Sequence, residues 1–197
     1  MPNPKILVMA GSLRAGSTNT RLAALAAKEL ALADADVTRI SFADYPLPLF
    51  DADLLAEAGH PKAALELRAA ITGHQGIFIA SPEYSASVPP IVKNAIDWVS
   101  RPRDKSEASY VAYKGRVFAL GAASPGSGGG VRGLLALRQV LELGCGALVL
   151  PEQITVGRAA QAFDDNGGLA DAALATSLKS LARRLVEMAS LMPTAAA

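Results

Sequence analysis

The sequence contains a single cysteine, Cys145, so no disulfide can form within the chain. This composition is typical of a reducing compartment. Cys145 begins an apolar run that ends at Leu150, whereas a reactive thiolate needs cationic neighbours and exposure to solvent. We therefore predict that Cys145 is an unreactive thiol in the protein core.

The chain also lacks an excess of either charge, because 19 basic and 18 acidic residues leave a net charge of only +1. Lys and Arg do not cluster, which removes the usual electrostatic argument for nucleic-acid binding. No apolar run reaches the roughly 18 residues that a membrane-spanning helix needs. The apolar run 6–10 is too short for a secretion signal. We expect a cytoplasmic protein that binds neither nucleic acid nor membrane.

The apolar residues, 51% of the chain, occur in short continuous runs that alternate with amphipathic segments. Continuous apolar strands are typical of a parallel sheet that helices cover on both faces. Amphipathic helices are predicted where apolar residues recur every 3.6 positions, most clearly at 20–33, 88–101 and in the C-terminal segment. Repeated strand–helix alternation predicts one doubly wound α/β domain. We predict five strands, at 5–10, 37–41, 76–81, 116–122 and 147–150.

Two connections, 42–60 and 151–168, are too long for simple turns. Loops of this length in a small domain are usually functional, or are held by a partner subunit. The aspartates in both loops lack the spacing and the closing glutamate of an EF-hand, so we predict no metal site.

The loop after the first strand, 11–20, is rich in groups that can bind a phosphate. It leads into a helix, whose first N–H groups are unpaired and whose dipole favours an anion. Helix capping would explain one polar residue here, not five. The loop is not a Walker loop for nucleoside triphosphates, because no Gly-Lys-Ser/Thr follows. It is not a dinucleotide fingerprint either, because Gly-x-Gly-x-x-Gly is absent. The predicted phosphate ligands are Ser12, Arg14, Ser17, Asn19 and Thr20.

Two further loops follow the third and fourth strands. In the first, Pro82 stiffens the backbone and Tyr84 offers a ring, which would suit a planar heterocycle. This segment also reads as a stiff turn in which Ser87 caps the next helix, and both interpretations can hold together. The second loop, 123–130, is glycine-rich, so its backbone can approach a ligand closely. Ser124 is not predicted to be a hydrolase nucleophile, because no histidine follows it.

Several short motifs occur in order along the chain: Gly11-Ser12-Leu13-Arg14 with Ser17-x-Asn19, Ser81-Pro82-Glu83-Tyr84, Lys93-Asn94-Ala95-Ile96-Asp97-Trp98, Gly129-Gly130-x-Arg132 and Leu137-Arg138-Gln139. In this combination the sequence resembles the NADPH-dependent FMN reductase family, which includes quinone, azo-dye and chromate reductases. The likeness runs from about residue 5 to 157, most of the chain.

The resemblance implies a flavodoxin-like fold with sheet order 2-1-3-4-5, in which the three unusual loops meet at the FMN site. It implies bound FMN, NADPH or NADH as hydride donor, and a quinone, free flavin, azo compound or metal oxyanion as acceptor. No catalytic residue is named, because the cofactor carries the chemistry. Ser85 stands where the family commonly has Asn. The resemblance assigns the phosphate to Ser12, Arg14, Ser17 and Asn19, the ring wall to Pro82, Glu83, Tyr84 and Ser85, and a third side to Ser124 and Gly126.

Two other functions stay open. A flavodoxin-type electron carrier would bind FMN without a substrate of its own, but such carriers are typically strongly acidic and this chain is not. A flavin-binding sensor would have an eroded site, whereas the phosphate loop is intact. The rate at which NAD(P)H reduces bound flavin discriminates between enzyme and carrier.

We also predict a homo-oligomer, a homodimer or homotetramer, with the helix 88–101 at its interface. Trp98 lies beside the apolar stripe of this helix, on the face that it shares with Asn94 and Arg101. Trp and Arg are enriched in the buried centres of interfaces. The alternative is that Trp98 packs against the Pro-rich loop of its own chain.

Overall fold

The computed structural model describes residues 2–104 and 106–193. Five parallel strands form one sheet in the order β2-β1-β3-β4-β5, which confirms the predicted flavodoxin-like fold. The strands are β1 (Lys5–Ala10), β2 (Asp36–Ser41), β3 (Gly76–Ala80), β4 (Val117–Ala123) and β5 (Leu148–Val156).

Helices cover both faces of the sheet. The first and last pack on one face, and the third, fourth and fifth pack on the other. Among the described residues, no helix is both long and apolar enough to cross a membrane. The helices are α1 (Thr18–Ala31), α2 (Ala52–Ala58), α3 (Lys62–Thr72), α4 (Pro90–Val99), α5 (Val131–Gln139) and α6 (Ala172–Ser190).

Every residue of β3 and β4 is buried, which explains why these central strands are continuous apolar runs. The predicted core thiol is confirmed, since Cys145 is 2% exposed and burial raises its pKa to about 11.

The predicted end of the fifth strand is wrong, because β5 continues past position 150 to Val156. Its pairing with β4 changes register between Phe118 and Leu120. Pro151 lies within β5, which is an edge strand, and such a strand tolerates a residue without an N–H donor. The predicted loop 151–168 is therefore shorter, because residues 151–156 belong to β5. The predicted loop 42–60 is not without structure either, because it contains a short 3-10 turn and α2.

The prediction that Trp98 lies at a subunit interface is wrong, because its side chain is buried within its own chain. Its side chain is fully buried, and Nε1 donates to the carbonyl oxygen of Pro48 at 2.8 Å. The Phe50 ring meets the indole edge-on, with 5.1 Å between centroids. Asn94 also donates to the Pro48 carbonyl and accepts from the Phe50 N–H. The alternative interpretation is the one observed, because Trp98 and Asn94 of α4 bind the Pro-rich loop of their own chain.

Candidate active site

The loop between β1 and α1 is a tight turn that exposes backbone donors. Ser17 is the N-cap of α1, and its Oγ accepts from the Asn19 N–H at 3.3 Å. The Ser17 N–H donates to the Arg14 carbonyl, and the Arg14 N–H donates to Ser12 Oγ. Gly16 has a φ of 67°, a left-handed conformation that glycine adopts without strain.

This loop fits a phosphate. The Arg14 side chain is exposed and forms no ion pair with any described residue. Unpaired N–H groups at a helix start, beside a cation, are what an anion needs. Six backbone N–H groups of the loop and first helical turn donate to no atom of the described chain, namely those of Ser12, Leu13, Ala15, Gly16, Thr18 and Thr20.

Asn19, like Ser17, is buried, whereas the predicted ligands Ser12, Arg14 and Thr20 are partly or fully exposed. It is 2% exposed, and its amide forms two hydrogen bonds with the backbone of Ala123, at the end of β4. Its acceptor and one of its donors are therefore already used inside the protein.

Arg39 was not identified from the sequence. It projects from the exposed edge strand β2 into a cavity of about 290 Å³ that also contains the predicted ligands Ser12 and Thr20. No described carboxylate forms an ion pair with Arg39, although Asp44 lines the same cavity. Nothing in the strand pattern distinguishes Arg39 from any other charged residue on an edge strand.

The loop after β3 ends in a two-residue turn with left-handed backbone at Ser85 (φ 49°) and Ala86 (φ 61°). Tyr84 and Ser87 exchange backbone hydrogen bonds across it, at 3.1 and 2.9 Å. Such turns favour Asn and Gly, so two ordinary side chains here store local strain, a feature common at functional sites. Tyr84 is 51% exposed.

The helix α4 starts after this loop without a side-chain cap. Pro89 is the N-cap and Pro90 is the first helical residue. The interpretation that Ser87 caps this helix is wrong, because no side chain caps it; that a proline occupies the first turn is confirmed.

The carboxylate of Glu83 points to α5. Its Oε2 accepts from the Gly133 N–H at 3.0 Å, and its Oε1 accepts from Arg132 Nε at 2.9 Å. The hydrogen bond from the Gly133 N–H lowers the pKa of Glu83 below its ordinary value, and the Arg132 guanidinium lowers it further. Any contact of Glu83 with a flavin ring would therefore come from its backbone. Glu83 also provides an anion for the first turn of α5.

The glycines after β4 serve close packing. Gly129 has a φ of 62°, and a Cβ there would lie 2.9 Å from backbone atoms of Thr155 and Gly157. Ser124 Oγ accepts from the Gly126 N–H at 3.4 Å, and Gly126 is exposed. The loop therefore packs against the end of β5 at Gly129, whereas Gly126 is exposed to solvent.

The strand register brings the three loops together. Ala10, Ala80 and Gly121 are consecutive partners across β1, β3 and β4, so the loops leave one edge of the sheet at nearly the same level. The Gly11 N–H donates to the Ala80 carbonyl, which ties the first loop to β3. This is the carboxyl edge, where open α/β sheets bind ligands.

An apolar groove of about 440 Å³ opens beside the same edge. It lies between α4 and the Pro-rich loop, whose position Trp98 and Asn94 hold. Its lining residues are Leu13, Phe42, Ala43, Tyr45, Pro46, Leu47, Pro48, Ile91, Asn94 and Ala95.

The chain is similar to known oxidoreductases in both sequence and structure. A probable NADPH:quinone oxidoreductase 2 of Oryza sativa subsp. japonica is 34% identical over 180 residues, which cover 90% of this chain and 84% of that protein. A quinone reductase of Pseudomonas putida is 37% identical over 169 residues, 84% of each chain. The solved structure of FerB, a flavoenzyme NAD(P)H:(acceptor) oxidoreductase of Paracoccus denitrificans, has a TM-score of 0.77 at 27% identity and covers 96% of this chain and 98% of that one.

The sheet order and the likeness to FerB indicate a flavin-dependent oxidoreductase of the flavodoxin-like class. Residues 4–161 match the profile of the NADPH-dependent FMN reductase family, and the chain belongs to that family. The resemblance seen in the sequence motifs is confirmed. The protein is thus an enzyme whose cofactor is FMN and whose electron donor is NAD(P)H.

Proposed function

We propose that this enzyme reduces a quinone with electrons from NAD(P)H, through FMN bound at the carboxyl edge of the sheet. The observation that carries the proposal is the meeting of the loops after β1, β3 and β4. One loop offers backbone donors and a cation that have no partner among the described residues, and the other two carry exposed residues beside them. When bound, FMN supplies the redox chemistry, taking hydride from nicotinamide and passing electrons to the acceptor.

The residues of this chain bind and orient. Arg14, Ser12, Ser17 and Thr20 hold the phosphate, with Arg39 adding a second positive charge in the adjoining cavity. The turn around Ser85 presents a rigid backbone to the ring. Pro82, Tyr84, Ser124 and Gly126 complete the assignment of ring-side residues; of these, Tyr84 and Gly126 are exposed.

A quinone is the proposed acceptor because relatives at 34% and 37% identity bear the names quinone oxidoreductase and quinone reductase. The apolar groove beside Leu13 supports a planar, largely apolar acceptor over a metal oxyanion, because it exposes few polar groups. We also propose that the enzyme acts in the cytoplasm as a homodimer or homotetramer. With Trp98 buried, this assembly rests on the family resemblance, and light scattering of the purified protein tests it.

Steady-state kinetics test the proposed reaction. With the protein reconstituted with FMN, initial rates are measured while NADPH and a benzoquinone are both varied. If donor and acceptor take turns at one ring face, the double-reciprocal plots are parallel, as for other ping-pong reactions. Intersecting plots would indicate a ternary complex and contradict the shared face. An electron carrier would give no quinone-dependent oxidation of NADPH.

A further inference from the structure

Asn19 links two loops that are far apart in the sequence. It lies in the first turn of α1, and its Nδ2 donates to the Ala123 carbonyl at 2.8 Å. Its Oδ1 accepts from the Ala123 N–H at 2.9 Å. One side chain therefore satisfies both backbone groups of the last residue of β4, in a site where Asn19 is 2% exposed.

This contact holds the last residue of β4, directly before the loop that follows it. Ala123 is followed directly by Ser124, whose N–H donates to the Val156 carbonyl at 3.0 Å. Without Asn19, both backbone groups of Ala123 would be buried without a partner, which is costly. The start of the ring-side loop would then shift to satisfy them.

Aspartate, which has the same size as asparagine, does not reproduce the contact at neutral pH. An amide offers an acceptor and a donor at matched positions, which is what one residue's N–H and C=O require. Aspartate keeps the acceptor but places a second anionic oxygen against the Ala123 carbonyl. A protonated aspartic acid, by contrast, again offers one acceptor and one donor.

We propose that Asn19 is a positioning residue that ties the phosphate loop to the ring-side loop, so that it controls binding of the isoalloxazine end as well as the phosphate end. The inference rests on the proposed function, because it assumes that the loop beginning at Ser124 closes over the flavin. It differs from the assignment of Asn19 as a phosphate ligand alone.

Riboflavin distinguishes the two roles, because it has the ring but lacks the phosphate. Apoprotein carrying Asn19→Ala is titrated with FMN and with riboflavin, following flavin fluorescence. We expect both dissociation constants to rise by about tenfold or more, because Asn19→Ala removes both buried hydrogen bonds to Ala123. Arg14→Ala is the contrast, with weaker FMN binding and unchanged riboflavin binding. A riboflavin dissociation constant for Asn19→Ala within twofold of wild type would overturn the proposal.

Asn19→Asp gives a second readout that a phosphate ligand would not produce. As the pH is lowered, protonation restores the missing donor, so riboflavin affinity of this variant should recover relative to wild type at the same pH. Riboflavin affinity equal to wild type at every pH would overturn the proposal. If wild-type protein binds neither flavin, the proposed function fails instead.

A crystal structure of the native protein with FMN settles the matter should the variants not fold. The expected result is that the Asn19 amide keeps both hydrogen bonds to Ala123. An amide turned wholly to the phosphate, with Ala123 released, would contradict the proposal.

Discussion

Replacing Arg14 with alanine should weaken FMN binding without weakening the fold. The guanidinium is exposed and pairs with no described residue, so its removal leaves no buried group unsatisfied. Hydrogen bonds to charged groups contribute about 1.5–3 kcal/mol, so the dissociation constant of FMN should rise by roughly 10- to 150-fold. Adding Ser17→Ala should increase this loss. It should also destabilise the protein by about 1 kcal/mol, because Ser17 is the N-cap of α1.

Flavin titration and thermal unfolding separate these effects. Arg183→Ala removes the same charge from an exposed position on α6 and serves as the control. The control should bind FMN like wild type, and riboflavin binding should be the same in wild type, Arg14→Ala and Arg183→Ala. If Arg14→Ala binds FMN as tightly as the control does, the phosphate does not lie in this loop and the site assignment fails.

Three further changes test other parts of the structure. Gly129→Ala should destabilise the protein by about 1–2 kcal/mol because of its left-handed φ alone, and the contacts at 2.9 Å should add to this loss. Gly144→Ala is the control, because a Cβ there meets nothing within 4 Å, and thermal unfolding should show no loss of stability for it. The pKa of Glu83 is lowered in the folded protein, so its stabilising contribution is present above the ordinary carboxyl pKa and is lost as the pH falls through the folded value. Urea unfolding at several pH values should show this acid-side loss reduced in Glu83→Gln. Trp98→Phe should cost about 1 kcal/mol by removing the hydrogen bond to Pro48; a switch to monomers with unchanged stability would contradict its burial within the chain.

Local sequence patterns predict the sheet well, because burial on both faces makes β1, β3 and β4 continuous apolar runs. The same reasoning failed at β5, since Pro151 resembles a strand end and only the sheet order reveals an edge strand. The prediction for Trp98 was wrong because helical spacing shows on which side of the helix the Trp98 side chain lies, but not which part of the protein covers that side. The loop residues Pro48 and Phe50 cover the ring, and their return to α4 is a tertiary event.

The site shows the same division. Hydroxyl-rich and glycine-rich loops after strands are visible in the sequence, and the fold brings them together. The internal roles of Asn19 and Glu83 are not visible, because their partners Ala123 and Gly133 are distant in the chain. Both residues resemble ligands by type, yet each forms hydrogen bonds with the ends of other elements. The contribution of Arg39 depends on a cavity that no sequence pattern describes.

Anaerobic reduction of the reconstituted protein shows directly whether bound FMN carries electrons from NADPH to a quinone. Protein saturated with FMN and freed of excess flavin is mixed with NADPH, and the visible absorption of the bound flavin is followed before and after a benzoquinone is added. We expect rapid bleaching by NADPH and full return of colour with quinone, one quinone being reduced for each NADPH oxidised. A bound flavin that keeps its colour with NADPH, or a protein that retains no FMN, would contradict it.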